Sequence, residues 1–171
     1  YVVGDGPTAA DRRQAIDAAL VAPFTSQGLR VEYTTYVLRG PTPGSPSVVL
    51  SLEAELPTAA ARQPEPAEVV FVVRDARAGR VAASGTDVMS LPLGTTPGST
   101  TGRASYRVQF EVAPGDYLMR AVVREPGGQI GSADRRFRVR PMSGPGVAVS
   151  DLILESQSEP LPVRATAFTD D

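Results

Sequence analysis

Apolar and polar side chains alternate almost without interruption between Arg103 and Val112. The two sets are Ala104, Tyr106, Val108, Phe110 and Val112 against Arg103, Ser105, Arg107, Gln109 and Glu111. Only a β-strand places every second side chain on the same face. The segment therefore predicts a strand with one face packed on a core and the other face in water.

The same alternation predicts seven strands in all, at 29–39, 47–56, 68–74, 80–91, 103–112, 117–124 and 130–140. The run Val-Val-Phe-Val-Val at 69–73 is apolar on both faces, which favours a central and covered strand. The alternation slips at Thr34 and Thr35, which favours a β-bulge or a change of sheet. Seven short strands separated by frequent turns are typical of an all-β antiparallel sandwich of the immunoglobulin-like or fibronectin-III-like kind.

Turn residues separate the later strands. Pro114-Gly115 has the residue order of a type II turn, and Gly127-Gly128 predicts a second turn. Residues 92–102 are rich in Pro, Gly, Ser and Thr and predict a long loop. Tyr117 stands where such sandwiches place a corner tyrosine, whose hydroxyl bonds to the backbone and locks the end of the fold.

A short helix is predicted before the strands, at 8–22. Thr8 and Asp11 have the spacing of a capping box, and Pro23 ends the helix. Ile16, Ala19 and Leu20 form a narrow apolar stripe, so we expect the helix to dock on an edge or an end of the sandwich, or on a preceding domain. The chain divides into a helical segment at 1–28, the sandwich at 29–141 and an extension at 142–171, with added strands at 147–154 and 163–168.

Composition narrows the chemistry. The 171 residues include no His, Cys, Trp, Lys or Asn, so all 17 basic residues are Arg, and the net charge is −2. The chain therefore has no imidazole base, no thiolate and no Schiff-base lysine. No run of apolar residues approaches the length of a membrane span. We expect no cofactor, no metal, no nucleic-acid partner and no direct membrane insertion. The chain opens without Met, and we expect it to be a piece of a longer protein.

Two carboxylates, Glu53 and Glu55, lie two residues apart on the polar face of one predicted strand. A pair of acids on one face can hydrolyse a glycosidic bond when burial raises the pKa of one of them. The alternative is a solvated strand face, which is the commoner state of such residues.

A second candidate site is a cationic face of Arg136, Arg138, Arg140, Arg107 and Arg120. If the strands at 103–112, 117–124 and 130–140 form a meander, these guanidinium groups line up and can hold an anionic glycan or an acidic protein. The alternative is edge protection and cross-strand pairing with Glu111, Asp116, Glu125 and Asp134.

Four segments resemble the β-rich region that follows the von Willebrand A-type domain in VWFA-related proteins of soil bacteria such as Acidobacteria. They are 68–85, 114–125, 133–139 and 149–154. The resemblance implies a secreted or cell-envelope bacterial protein that acts in adhesion or protein interaction. The A-type domain is not present in the chain, so its metal site is not implied.

These observations predict a non-catalytic accessory module of a larger exported protein. Its partners would be a neighbouring domain of the same chain, another protein or an anionic glycan. Two alternatives remain open at this level: a purely structural spacer, and a carboxylate-dependent glycan hydrolase that uses Glu53 and Glu55.

Overall fold

The fold was obtained as a computed structural model, which describes residues 8–42, 45–57, 66–90, 100–142, 149–153 and 164–165. One helix precedes a series of strands. The bounds are α1 Ala9–Val21, β1 Val31–Arg39, β2 Pro46–Pro57, β3 Ala67–Asp75, β4 Val81–Met89, β5 Thr101–Glu111, β6 Gly115–Arg124, β7 Ile130–Val139 and β8 Arg164–Ala165. The seven predicted strands are confirmed, each to within two residues.

The strands form two sheets, and the predicted all-β sandwich is confirmed. Sheet I has the order β1-β2-β5-β8 and sheet II the order β4-β3-β6-β7. All pairings are antiparallel except that of β8, which runs parallel to β5. The core lies between the sheets, where the rings of Phe71 and Phe110 stack with their centroids 5.4 Å apart.

The structure confirms two predictions that the side-chain pattern made about individual strands. In β5 the predicted dry face is buried, with Val108 and Phe110 almost fully enclosed. Strand β3 is central, paired with β4 on one side and β6 on the other. On its outer face Val70 is half-buried and packs on α1, as a strand that is apolar on both sides requires.

The helix begins as predicted. The Thr8 side chain accepts a hydrogen bond from the Asp11 amide at 3.2 Å, and the Thr8 amide donates to the Asp11 carboxylate at 2.9 Å. The predicted docking position was wrong. Helix α1 lies on the outer face of sheet II, where Ile16 and Ala19 pack on Val122, and not on an edge or an end of the sandwich.

Three local predictions were also wrong. Strands β1 and β2 pair without a break from Val31 to Arg39, so there is no bulge at Thr34 and Thr35; the slip arises because Thr35 shares the inner face with apolar residues. A type II turn requires a positive φ at its third residue. Gly115 has none and instead begins β6, paired with Val139. Of the predicted strand at 147–154, residues 149–153 are described and form no strand.

The condition for the cationic face, a meander of β5, β6 and β7, is not met. Strand β5 belongs to sheet I, whereas β6 and β7 are a hairpin of sheet II. The chain therefore crosses from one sheet to the other between Glu111 and Gly115. Alternation along a strand identifies its two faces but carries no information about its neighbours, which is why the sequence missed this crossing. Most of the predicted loop at 92–102 lies outside the described residues, and its last two residues belong to β5.

Candidate interaction surface

The five arginines of the predicted cationic face do not lie together. Arg107 is on β5 in sheet I, and the other four are on β6, on β7 or directly after β7 in sheet II. The sandwich core separates the two groups. The predicted face therefore divides into one arginine on sheet I and four positions on sheet II, and these four have different environments.

Arg120 anchors the helix. Its guanidinium donates to the Asp134 carboxylate through two hydrogen bonds of 2.6 and 2.5 Å, and to the backbone carbonyl of Ala19 at 3.1 Å. It also donates to the carbonyls of Leu20 and Ala22. The last turn of α1 has no basic residue of its own. Arg120 therefore supplies the positive charge that the carbonyl end of a helix favours, and its role is structural.

Arg138 and Arg140 are neutralised by carboxylates. Arg138 pairs with Asp116 across the β6–β7 hairpin at 2.6 Å, and Arg140 pairs with Asp151 at 2.6 Å. The hydrogen bond from Arg138 holds the pKa of Asp116 below its ordinary value. Cross-strand pairing, the alternative set against the cationic face, therefore describes Arg138, whereas the partner of Arg140 lies outside the strands. Arg136 is exposed on β7.

Asp151 has a role that sequence reasoning missed. Its carboxylate accepts a hydrogen bond from the Val37 amide at 2.8 Å, and its own amide donates to the Val37 carbonyl at 2.9 Å. The second carboxylate oxygen binds Arg140. Asp151 thus joins the edge strand β1 of sheet I to the end of sheet II. No local pattern signals this contact, because it joins residues more than a hundred positions apart.

The outer face of sheet I carries a group of paired charges, which we call the sheet I face. It surrounds an open depression of about 190 Å³ lined by Arg30, Glu32, Glu53, Glu55, Thr101 and Arg103. Arg30 binds Glu32 at 2.8 Å, and Arg103 binds Glu53 at 3.2 Å. The hydrogen bond from Arg30 lowers the pKa of Glu32.

The strand register places two carboxylates opposite one another, and each of them is paired with an arginine. Glu32 and Glu53 are direct cross-strand neighbours in β1 and β2. Like charges directly opposite one another in a sheet repel. Arg30 and Arg103 each pair with one of the two carboxylates, so groups of both signs lie side by side on an open surface.

The predicted acid pair is part of this face. Glu53 is ion-paired with Arg103, and Glu55 accepts a hydrogen bond from the Thr101 hydroxyl at 3.0 Å. Both carboxylates are exposed on the surface of a sheet. Neither lies in the apolar pocket that holds the acid of a glycosidase.

The hydroxyl of Tyr33 links the two sheets, and that of Tyr117 bonds to the connection between them. The Tyr117 hydroxyl donates to the Ala113 carbonyl at 2.8 Å, and the Tyr33 hydroxyl of sheet I donates to the Met119 carbonyl of sheet II at 2.6 Å. Burial raises the pKa of Tyr33 and of Tyr117. Burial, followed by the nearby Asp87 carboxylate, raises the pKa of Tyr106 to about 12.

Among the described residues, no group of three or more Asp or Glu side chains is placed to hold a metal ion. In the same part of the chain no helix is both long enough and apolar enough to cross a membrane.

Comparisons with known proteins give weak structural likenesses only. No family model matches the chain, and no curated protein matches it in sequence. A crystal structure of the ApaA protein from Bordetella pertussis is similar over 66% of this chain and 93% of its own, with 13% identity and a TM-score of 0.37. An X-ray structure of the structural genomics target SoR45 is similar over 78% of this chain and 97% of its own, with 18% identity and a TM-score of 0.32. Likenesses this weak do not assign the chain to a family.

Proposed function

We propose that this chain is a non-catalytic binding module that contacts another protein through the sheet I face. The observation that carries the proposal is the paired arrangement of Arg30–Glu32 and Arg103–Glu53 on an open sheet surface. Fixed charges of both signs select a partner with the complementary pattern and repel partners with the wrong one. Because Glu32 and Glu53 are neighbours and each has an arginine beside it, a partner protein with basic side chains flanked by acidic ones has the chemistry that fits.

Hydrolysis is the weaker alternative for the same residues. A glycosidase needs two carboxylates on opposite sides of the scissile bond, one of them with a raised pKa. Glu53 and Glu55 instead lie on the same strand. Glu53 is ion-paired and Glu55 is hydrogen-bonded with a residue of β5. This arrangement supports a role in binding.

We further propose that the sandwich is of the fibronectin-III-like kind. The support is the division of its long strands, with β1-β2-β5 in one sheet facing β4-β3-β6-β7 in the other. The hydrogen bond from Tyr117 to the carbonyl four residues upstream is the contact expected of a corner tyrosine in such folds.

The setting that we propose is a larger bacterial protein exported to the envelope or the medium. Its support is the resemblance to the region that follows the A-type domain in VWFA-related proteins. A module of this kind serves adhesion or the assembly of neighbouring proteins. The complete coding sequence tests this part, because export requires a signal peptide upstream; a complete protein without one would contradict it.

The binding surface is tested by exchanging charges within a pair. The double variant Glu53→Arg/Arg103→Glu keeps an ion pair in place and inverts the charge pattern. The matched control, Asp116→Arg/Arg138→Asp, exchanges a similarly exposed pair on sheet II. The immobilised native chain is used to isolate a partner from an envelope extract of the source bacterium, and the affinities of the three chains for that partner are then measured.

We expect the sheet I exchange to weaken binding at least tenfold, about 1.4 kcal/mol, and the sheet II exchange to leave it unchanged. Loss of binding with the sheet II exchange alone would contradict the assignment and move the site to the β6–β7 hairpin. A ligand that survives protease treatment of the extract would be a glycan rather than a protein. A chain that captures no ligand would favour the spacer alternative.

A further inference from the structure

The outer face of sheet II is only half covered. Helix α1 packs over β6 and β7, where Ile16 and Ala19 contact Val122. Four strands about 4.8 Å apart make a face about 19 Å wide, whereas one helix with its side chains is about 10 Å across. The remaining half lies over β3 and β4 and is wide enough for a second helix.

That uncovered half is an open groove of about 550 Å³ beside α1. Its lining combines apolar side chains of the helix and of β3 with small polar residues of β4: Ala9, Arg13, Ile16, Asp17, Leu20, Glu68, Val70, Val72, Ser84, Gly85 and Thr86. Val88 is half exposed and is the cross-strand neighbour of Glu68 at one end of this groove. A groove whose apolar side chains are bordered by charged ones has the make-up of a protein interface, an apolar centre with a polar rim.

The same chain carries side chains that fit such a groove. Val21, at the end of α1, is 75% exposed, and Phe24, three residues later, is 81% exposed. The helix itself has apolar residues on more than the side that packs on sheet II. Ala10, Ala18 and Val21 are exposed on the opposite side from Ile16.

The flank of α1 that faces the groove is self-complementary in charge. Arg13 and Asp17 both line the groove and lie 3.6 Å apart. When two copies of α1 lie antiparallel about a twofold axis near Ala15, Arg13 of each copy is opposite Asp17 of the other. Ala9 of one copy is then opposite Val21 of the other, which pairs a small side chain with a larger one. Self-complementarity of this kind is what a twofold interface requires.

We infer that two copies of this chain form a twofold dimer through sheet II. The two α1 helices lie side by side between the two sandwiches, and each fills the groove of the other copy. The floor of the groove and the flank of the helix provide about 500 Å² of surface per copy for the other copy to bury, as judged from helix and strand dimensions. Phe24 and Val21 add about 250 Å². The sum is close to the roughly 800 Å² per partner of a standard protein interface.

The dimer has a consequence for the proposed function. Since the interface uses sheet II, the two sheet I faces point outward on opposite sides. Each dimer then presents two binding surfaces, and a partner with repeated sites is bound with higher avidity than by one surface. The dimer itself does not depend on the proposed function, because it is tested with the 171-residue chain alone.

Sedimentation of the 171-residue chain from about 1 to 300 μM tests the dimer. We expect a reversible equilibrium between 18.0 kDa and twice that mass. Phe24→Asp should weaken the dimer at least tenfold. Leu152→Asp, at a residue that is 76% exposed and outside the groove, is the matched control and should have no effect. Circular dichroism confirms that each variant is folded.

Charge exchange on the helix gives the sharper test. Arg13→Asp places a carboxylate opposite Asp17 of the second copy and should weaken the dimer at least tenfold. Arg13→Asp/Asp17→Arg restores opposite charges at both contacts and should recover the native dimer. A chain that stays monomeric at every concentration would overturn the inference. So would a dimer or larger oligomer that is indifferent to Phe24→Asp and Arg13→Asp.

Discussion

The attachment of α1 to sheet II depends on one side chain, and its removal can be quantified. Arg120→Met keeps the aliphatic part of the side chain and removes the guanidinium. The change abolishes both hydrogen bonds to Asp134 and those to the carbonyls at the end of the helix. The Asp134 carboxylate then remains beside the helix end without its cation.

The magnitude follows from the burial of the pair. The Arg120 side chain is 15% exposed and that of Asp134 is 30% exposed, so water replaces the lost hydrogen bonds only in part. Breaking a fully buried ion pair costs about 3 to 5 kcal/mol. Allowing for the partial exposure, we expect a loss of about 2 kcal/mol in the free energy of unfolding.

Urea unfolding measures this loss. With an m-value of about 2 kcal/mol/M, the midpoint should fall by about 1 M. The matched control is Arg138→Met, which breaks an ion pair whose arginine is 73% exposed and should hardly move the midpoint. Hydrogen exchange should also show reduced protection of the amides at the end of α1, because the helix is held there by Arg120.

Either of two results would contradict the anchoring of α1 by Arg120. One is that Arg120→Met lowers the midpoint no more than Arg138→Met. The other is that the amides of the last turn of α1 keep their native protection in the variant. In both cases the helix would be held by the contacts of Ile16 and Ala19 with sheet II, and the guanidinium would be dispensable.

Three further predictions concern the sandwich itself. A Cβ at Gly85 would lie 2.4 Å from a ring carbon of Phe71, so Gly85→Ala should cost about 2 kcal/mol in unfolding free energy by overpacking; an unchanged urea midpoint would contradict this. Asp151→Ala removes the hydrogen bond from the Val37 amide and the Arg140 ion pair and should cost about 1 kcal/mol, measured in the same way; native stability would show that the contact is dispensable. Burial raises the pKa of Tyr106 to about 12, above an unfolded value near 10, so its contribution to stability is complete below pH ~10 and is lost as the pH rises towards 12. A tyrosinate absorbance titration, unobscured because the chain lacks Trp, should show a late step that Tyr106→Phe makes smaller, since the pKa values of Tyr33 and Tyr117 are raised as well; ionisation of all the tyrosines near pH 10 in the folded chain would contradict it.

Much of the fold was predictable because its determinants are local. The alternation at 103–112 depends on side chains two residues apart, and the capping box of Thr8 and Asp11 depends on residues three apart. Pro23 follows the end of α1 by two residues. Each signal operates within one element, so the bounds of the elements could be predicted without knowing their neighbours.

The candidate site was less predictable because it depends on which strands are neighbours. The cationic face required β5, β6 and β7 to lie in one sheet, and the crossing between β5 and β6 places Arg107 on the other side of the core. The sequence pattern of Arg120 is that of a surface charge, and its contact with the end of α1 exists only in the tertiary structure. Glu53 was singled out by the sequence, but its pairing with Arg103 depends on the register of β2 and β5.

The strand faces, the helix with its cap, and the lack of His, Cys and Lys side chains are set by composition and by contacts within a few residues. The division of strands between the sheets, the position of α1 on sheet II, and the link from β1 to the end of sheet II through Asp151 arise only when the chain is packed in three dimensions. Such contacts unite residues far apart in the chain, and their energies depend on three-dimensional packing that no local pattern encodes.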